Sequence, residues 1–353
     1  MRAKKFLKWS TIIIILLIFL FASAIICLTI GKVSIPPEVV FKIVLNRIFN
    51  QNMTFEHNWH KIVLDLRLPG ILMAILVGVA LSAAGATMQG LFRNPLADPF
   101  IIGVSSGGAF GAILGVIIRQ KFFSYLPEQY ILSIFSFCGA MGTIFLVYTL
   151  SKKGGKVSIT TMLLVGIALS SFFSAITLFL TYIQVGDPRS VLFWMLGKLD
   201  NVRWDVVNIS FPFIILGLIV LIFFSRDLNA FSLGENTAKQ LGIDVEKVKL
   251  ILLGSAALVT AIAVAFTGII GFVGLIIPHA MRKLVGPDHR ILLPTSALFG
   301  GAFLVWANTF SLNFSIIIEW ITGESIGLLI LPVGVVTALF GAPFFLYLLL
   351  VKK

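Results

Sequence analysis

Ten long apolar stretches alternate with polar connectors along the chain, at residues 11–30, 68–90, 100–118, 130–150, 159–183, 206–224, 248–267, 269–282, 292–310 and 328–350. About 20 apolar residues cross a bilayer as a helix, so the pattern predicts ten transmembrane helices. The pair 248–267 and 269–282 reads equally as one helix broken around Gly268 and Gly271. Ala22-Ser23-Ala24 resembles a signal-peptidase site, but the apolar run continues through Ile30, which predicts an uncleaved first span. In the connector 31–66, Val39, Val40, Ile43, Val44 and Phe49 set against Lys42 and Arg47 predict a short helix lying along the interface. Two ladders of small residues, Gly78-Ser82-Ala86-Gly90 and Gly103-Gly107-Gly111-Gly115, predict faces where helix backbones approach closely.

One polar stretch, Ser225–Lys249, carries helix punctuation of its own. Ser232 followed by Glu235 reads as a capping box, Gly242 as a stop, and Asp244 as the cap of the next helix. Within 232–241, Leu233, Thr237, Ala238 and Leu241 share one face, while Glu235 and Lys239 stand four apart as a favourable pair. Such a segment is either a solvated connector or a compact helix that docks into the groove of a partner. Between the two small-residue ladders, Pro95 and Pro99 break the chain among Arg93, Asn94 and Asp98, which reads as a tight capped turn.

Composition settles the class. Of 353 residues 58% are hydrophobic and only 12% charged, with mean hydropathy +1.04, against about a quarter charged in soluble domains. The chain is predicted to be an all-α polytopic membrane protein, one transmembrane domain over 1–353. The net charge of +12 fits cationic loops facing an anionic leaflet rather than nucleic acid. Most of the 27 Lys and Arg residues fall on the side shared by both termini and by 225–249. The predicted orientation in the cell membrane therefore places all three in the cytoplasm. Trp9, Trp59, Trp204 and Trp320 lie near span ends, as an interfacial belt requires. Asn52-Met53-Thr54 matches a glycosylation sequon, most simply by chance. Cys27 and Cys138 sit in apolar runs and suggest neither a disulfide nor a metal site.

A carrier driven by an ion gradient buries carboxylates or histidines in its spans. Here the Asp and Glu residues fall in connectors or at span ends, the nearest approach being Asp98. Gly154-Gly155-Lys156 and Gly31-Lys32 lack the spacing of a phosphate loop, and no catalytic constellation is evident. If solute moves through this protein, the driving force must come from a separate subunit, and the capped segment at 232–241 is where it would push.

Four stretches resemble the iron-siderophore and vitamin B12 class of ABC-importer permeases, the FecCD family. They are RLPGILMAILVGVALSAAGATMQGLFRNPLADPFIIGVSSG (67–107), SLGENTAKQLGI (232–243), GFVGLIIPHAMRKLVGPDHRILLPTSALFGGA (271–302) and LPVGVVTALFGAPFFLYLL (331–349). The resemblance implies ten helices with an inverted repeat of spans 2–5 against 7–10, and a homodimer with the solute path at its seam. It also implies two ATPase subunits on the cytoplasmic face, an extracytoplasmic solute-binding protein, and no cofactor or metal. Carried onto this chain, Gly234, Glu235, Asn236, Thr237, Ala238, Leu241 and Gly242 become the element that couples to the ATPase. Arg67, in the RLP motif, becomes a docking residue for the binding protein. The chain departs from the pattern at Gly70, Asn308 and Leu312, and in a longer segment before LPVG that carries Glu319 and Glu324. The implied cargo is an iron chelate such as a siderophore or haem, with cobalamin or molybdate and tungstate as alternatives. Outside this class stand a gradient-driven carrier and a membrane scaffold. Gly268, Gly271 and Gly274 serve either as a flexible joint or as close-packing positions.

Overall fold

The computed structural model describes residues 2–49, 58–183, 189–324, 327 and 329–351; the sequon at 52–54 lies outside them. Each of the ten predicted spans coincides with a helix. In order these are α1 (Arg2–Thr29), α2 (Pro37–Phe49), α3 (Trp59–Lys61), α4 (Leu68–Leu91), α5 (Val104–Phe122), α6 (Glu128–Leu150), α7 (Ile159–Ile183), α8 (Arg189–Met195) and α9 (Trp204–Phe223). They continue as α10 (Ser225–Ser232), α11 (Glu235–Gln240), α12 (Val245–Thr267), α13 (Val273–Val285), α14 (His289–Leu312), α15 (Phe314–Thr322) and α16 (Val333–Val351). The described sheet structure is one hairpin between α6 and α7, β1 (Lys152–Lys153) antiparallel to β2 (Lys156–Val157). Among the described residues seven helical stretches are long and apolar enough to cross a membrane. The remaining three predicted spans, α5, α13 and α16, are shorter or less apolar. The predicted interfacial helix is α2, which buries Val40 and Ile43 and exposes Phe49.

The centre of the molecule is α4, apolar on every side and buried almost throughout, as expected of a helix enclosed by others. Its small-residue ladder has a structural cause. A Cβ on Gly78 would lie 2.2 Å from the carbonyl oxygen of Gly300 in α14, and one on Gly300 would lie 1.9 Å from Ser82 Oγ. On another side of α4, outside the ladder, a Cβ on Gly85 would lie 1.8 Å from the carbonyl oxygen of Gly274 in α13. The second ladder joins α5 to α6: a Cβ on Gly107 would meet the Gly139 carbonyl oxygen at 2.6 Å, and one on Gly111 the Phe135 carbonyl oxygen at 2.0 Å. Lipid offers helices no hydrophobic reason to associate, so backbone contact of this kind supplies the packing energy. Gly103 belongs to a turn instead, at φ +86° before α5. By contrast α7 buries only Met162, Gly166, Phe173 and Thr177 among its described residues and turns Leu164, Phe172 and Phe179 outward.

Residues 248–282 form two helices, with Gly268 at φ +72° and Phe272 at φ +68° between them. A Cβ on Gly268 would fall 1.9 Å from the Trp194 carbonyl oxygen, and one on Gly274 2.9 Å from that of Leu81. Packing therefore accounts for both glycines, whereas Gly271 meets no neighbour. Ahead of α4, Ile62–Arg67 is a π-helical stretch, and its loosened carbonyl at Leu64 accepts a hydrogen bond from Trp204 Nε1 at 3.0 Å.

Candidate functional site

The polar island folds as two helices rather than one. α10 runs on through Ser232, whose hydroxyl donates to the Leu228 carbonyl at 3.1 Å, so the expected capping box does not form. The cap is Gly234, at φ +117° and ψ +149°, a conformation open essentially to glycine alone. The expected pairing of Glu235 with Lys239 is also replaced. Glu235 Oε1 lies 3.2 Å from Lys249 Nζ, and Lys249 is only 1% exposed. A buried ammonium draws the carboxylate more strongly than a solvated one on the same helix.

The other end of α11 follows the sequence. Gly242, at φ +82°, donates to the Lys239 carbonyl at 2.9 Å, and Ile243 N–H reaches back to the Ala238 carbonyl at 3.1 Å. This is the Schellman arrangement. Asp244 then caps α12 by accepting from Lys247 N–H at 3.2 Å. The predicted apolar face divides: Ala238 is fully buried, while Leu233 and Leu241 are 70% and 64% exposed. Asn236 is exposed and Thr237 half-buried, its hydroxyl donating to the Leu233 carbonyl. The result is a short helix, Glu235–Gln240, with Ala238 as its buried anchor and an exposed leucine flanking each end.

Two further sets of contacts tie this segment to the helices behind it. In α10, Asn229 Oδ1 accepts from His289 N–H at 2.8 Å and lies 2.9 Å from His289 Nδ1, while Asn229 Nδ2 donates to Asp288 at 2.8 Å. His289 in turn sits against α4, where a Cβ on Gly90 would fall 2.5 Å from its Nε2. A cavity of about 790 Å³ opens beside this junction, lined by Arg93, Ser232, Leu233, Arg282 and Lys283. Neither Asn229 nor Lys249 stood out in the sequence. The one available signal was a lysine placed at the start of the apolar run of α12.

The turn between α4 and α5 is capped as expected: Asp98 accepts from Phe100 N–H at 2.8 Å. Burial pushes its carboxyl up to about 6, partly offset by that N–H. The folded chain then holds the proton more tightly than the unfolded chain. Stability is fullest below the ordinary carboxylate value and falls as pH rises through about 6. Thermal unfolding in detergent is expected at a higher temperature at about pH 5 than at about pH 7. Asp98→Asn, which can still accept from Phe100, should flatten that difference; an unchanged slope would remove Asp98 as its source.

On the opposite face Arg67 ends the π-helical stretch. Its guanidinium donates to the Leu28 carbonyl at 2.7 Å and the Val33 carbonyl at 2.6 Å, satisfying backbone acceptors where α1 ends. Gly31 makes room, since a Cβ there would lie 2.5 Å from Arg67 Nη2. Arg67 also borders a cavity of about 260 Å³ with Lys32, Asp200, Asn308 and Asn313. Gly70, Asn308 and Leu312, the three single-residue departures noted above, thus line the same recess.

The model of the FecCD transport family matches residues 15–351. Over 290 residues the chain is 43% identical to the cobalamin import system permease protein BtuC of Halobacterium salinarum, covering 82% of this chain and 73% of that one. It is 37% identical to the hemin transport system permease protein HmuU of Yersinia pestis, covering 84% of each. It is 32% identical to the molybdate import system permease protein MolB of Haemophilus influenzae, covering 94% and 92%. Among solved structures, an inward-facing conformation of a transporter of the metal-chelate ABC type superposes with a TM-score of 0.79 at 33% identity, covering 98% of this chain and 100% of that one. The match runs over nearly the whole chain, and the protein belongs to the FecCD transport family.

Proposed function

We propose that this permease imports an iron chelate, a siderophore complex or haem, as a homodimer driven by two separate ATPase subunits. In this reading α11 docks into a groove of each ATPase, with Gly234, Glu235, Asn236, Thr237, Ala238, Leu241 and Gly242 forming the coupling element. The observation that carries it is α11 itself: a short capped helix anchored through Ala238 and Glu235, with Leu233 and Leu241 uncovered on either side of it. The sequence has no phosphate loop of its own. An extracytoplasmic binding protein docks on the outer face near Arg67, and the outward apolar side of α7 meets the second copy. Both termini and α11 lie in the cytoplasm, with the protein in the cell membrane. A cobalamin cargo is the second reading, favoured by the 43% identity to a relative named for it.

The test is reconstitution in vesicles with partner ATPase and binding protein, offering haem, a ferric siderophore, cobalamin and molybdate in turn. ATP-dependent accumulation of an iron chelate is expected. Accumulation of cobalamin or molybdate alone would replace the cargo, and accumulation under an ion gradient without ATPase would overturn the mechanism. Vesicles carrying Arg67→Glu should bind the binding protein more weakly, most visibly at low salt. Salt-independent, unaltered binding would leave Arg67 with its structural role only.

A further inference from the structure

Lys249 lies one turn into α12, and its ammonium is almost completely enclosed. Three acceptors surround it: Glu235 Oε1 of α11 at 3.2 Å, Glu246 Oε1 of α12 at 3.4 Å, and the Val157 carbonyl of β2 at 2.9 Å. Glu246 Oε2 also accepts from Val157 N–H at 3.1 Å. Both backbone groups of Val157 are thus committed to side chains of α12, and all three protons of the ammonium have an acceptor. α11, the start of α12 and the α6–α7 hairpin converge on one buried point.

We propose that Lys249 is a positioning residue that locks α11 to the hairpin, so that displacement of α11 reaches α7 through β2. This rests on the reading of α11 as the element the ATPase moves. The physical ground is directionality. Apolar contact tolerates sliding, whereas charge-assisted hydrogen bonds fix both distance and direction. A buried ion pair adds little net stability over an apolar replacement of similar volume, so its effect here is geometric. Downstream, β2 ends at Val157 and α7 begins at Ile159. Within one copy α7 is the least buried of the long spans.

The experiment uses the full permease reconstituted with ATPase and binding protein, comparing the parent with Lys249→Met. Binding-protein-stimulated ATP hydrolysis is expected to persist while cargo accumulated per ATP falls about tenfold. In permease alone, with Cys27 and Cys138 replaced by alanine, spin labels at Lys156→Cys and Lys239→Cys report the hairpin-to-α11 distance. A narrow distribution is expected in the parent and a broad one with Lys249→Met. If Lys249→Met fails to accumulate in the membrane, Glu246→Gln, outside the docking element, weakens the same junction at Lys249 and Val157 and should give the same two results. Unchanged accumulation per ATP together with an unchanged distance distribution overturns the inference. Gly242→Val separates the two levels. If it abolishes uptake while Lys249→Met does not, only the role of Lys249 falls; if it too is without effect, the reading of α11 falls.

Discussion

Gly85→Val is expected to abolish assembled protein in the membrane, while Gly142→Val leaves it at the parent level. A Cβ at Gly85 would sit 1.8 Å from the Gly274 carbonyl oxygen and 2.5 Å from its carbon. Both atoms are backbone, so no rotamer change can relieve the overlap. Nor can α4 move away, because it also meets the α14 backbone at Gly78 and His289 at Gly90. Overpacking usually costs about 1–3 kcal/mol, and a helix held on several sides should lie at the upper end or beyond. At Gly142, which lies in α6, a Cβ would have nothing within 4 Å. Size-exclusion profiles and melting temperatures of detergent extracts decide the matter. Matching behaviour of the two variants would mean that α4 and α13 are not in backbone contact.

Gly234→Val and Gly242→Val should each stop uptake while leaving insertion and the transmembrane packing intact. Gly234 combines φ +117° with ψ +149°, and Gly242 has φ +82°. A β-branched residue in such conformations costs about 1–3 kcal/mol or more. The α10–α11 joint or the Schellman stop would have to open instead. Neither position touches the α4 seam, so melting should change little. The measurement pairs uptake in vesicles with ATP hydrolysis stimulated by loaded binding protein. Normal uptake by both variants would mean that the fixed shape of α11 is not what the partner engages.

The spans, the interfacial α2 and both small-residue ladders were legible because their cause is local or periodic. Residues four apart face one neighbour whatever that neighbour is. Asp244 and Gly242 were legible for the same reason, since caps bond within their own turn. Ser232 misled because α10 claims it first, a fact decided by where Leu228 and Ala238 are buried. Glu235 misled because its partner, Lys249, comes from the next helix. The bonds of Arg67 to the end of α1 and those of Asn229 to His289 join residues far apart in sequence, and no spacing rule announces them.

The glycine seams along α4 have one more consequence. Where a glycine backbone rests on a carbonyl, as at Gly78 and Gly85, there is no side chain at the contact to rearrange, and a graded adjustment of fit is not available. The helices joined this way must travel as a solid piece or not at all. Any change of shape is therefore confined to places where side chains, turns and hydrogen bonds can be exchanged, at the rims of the bundle rather than through its middle.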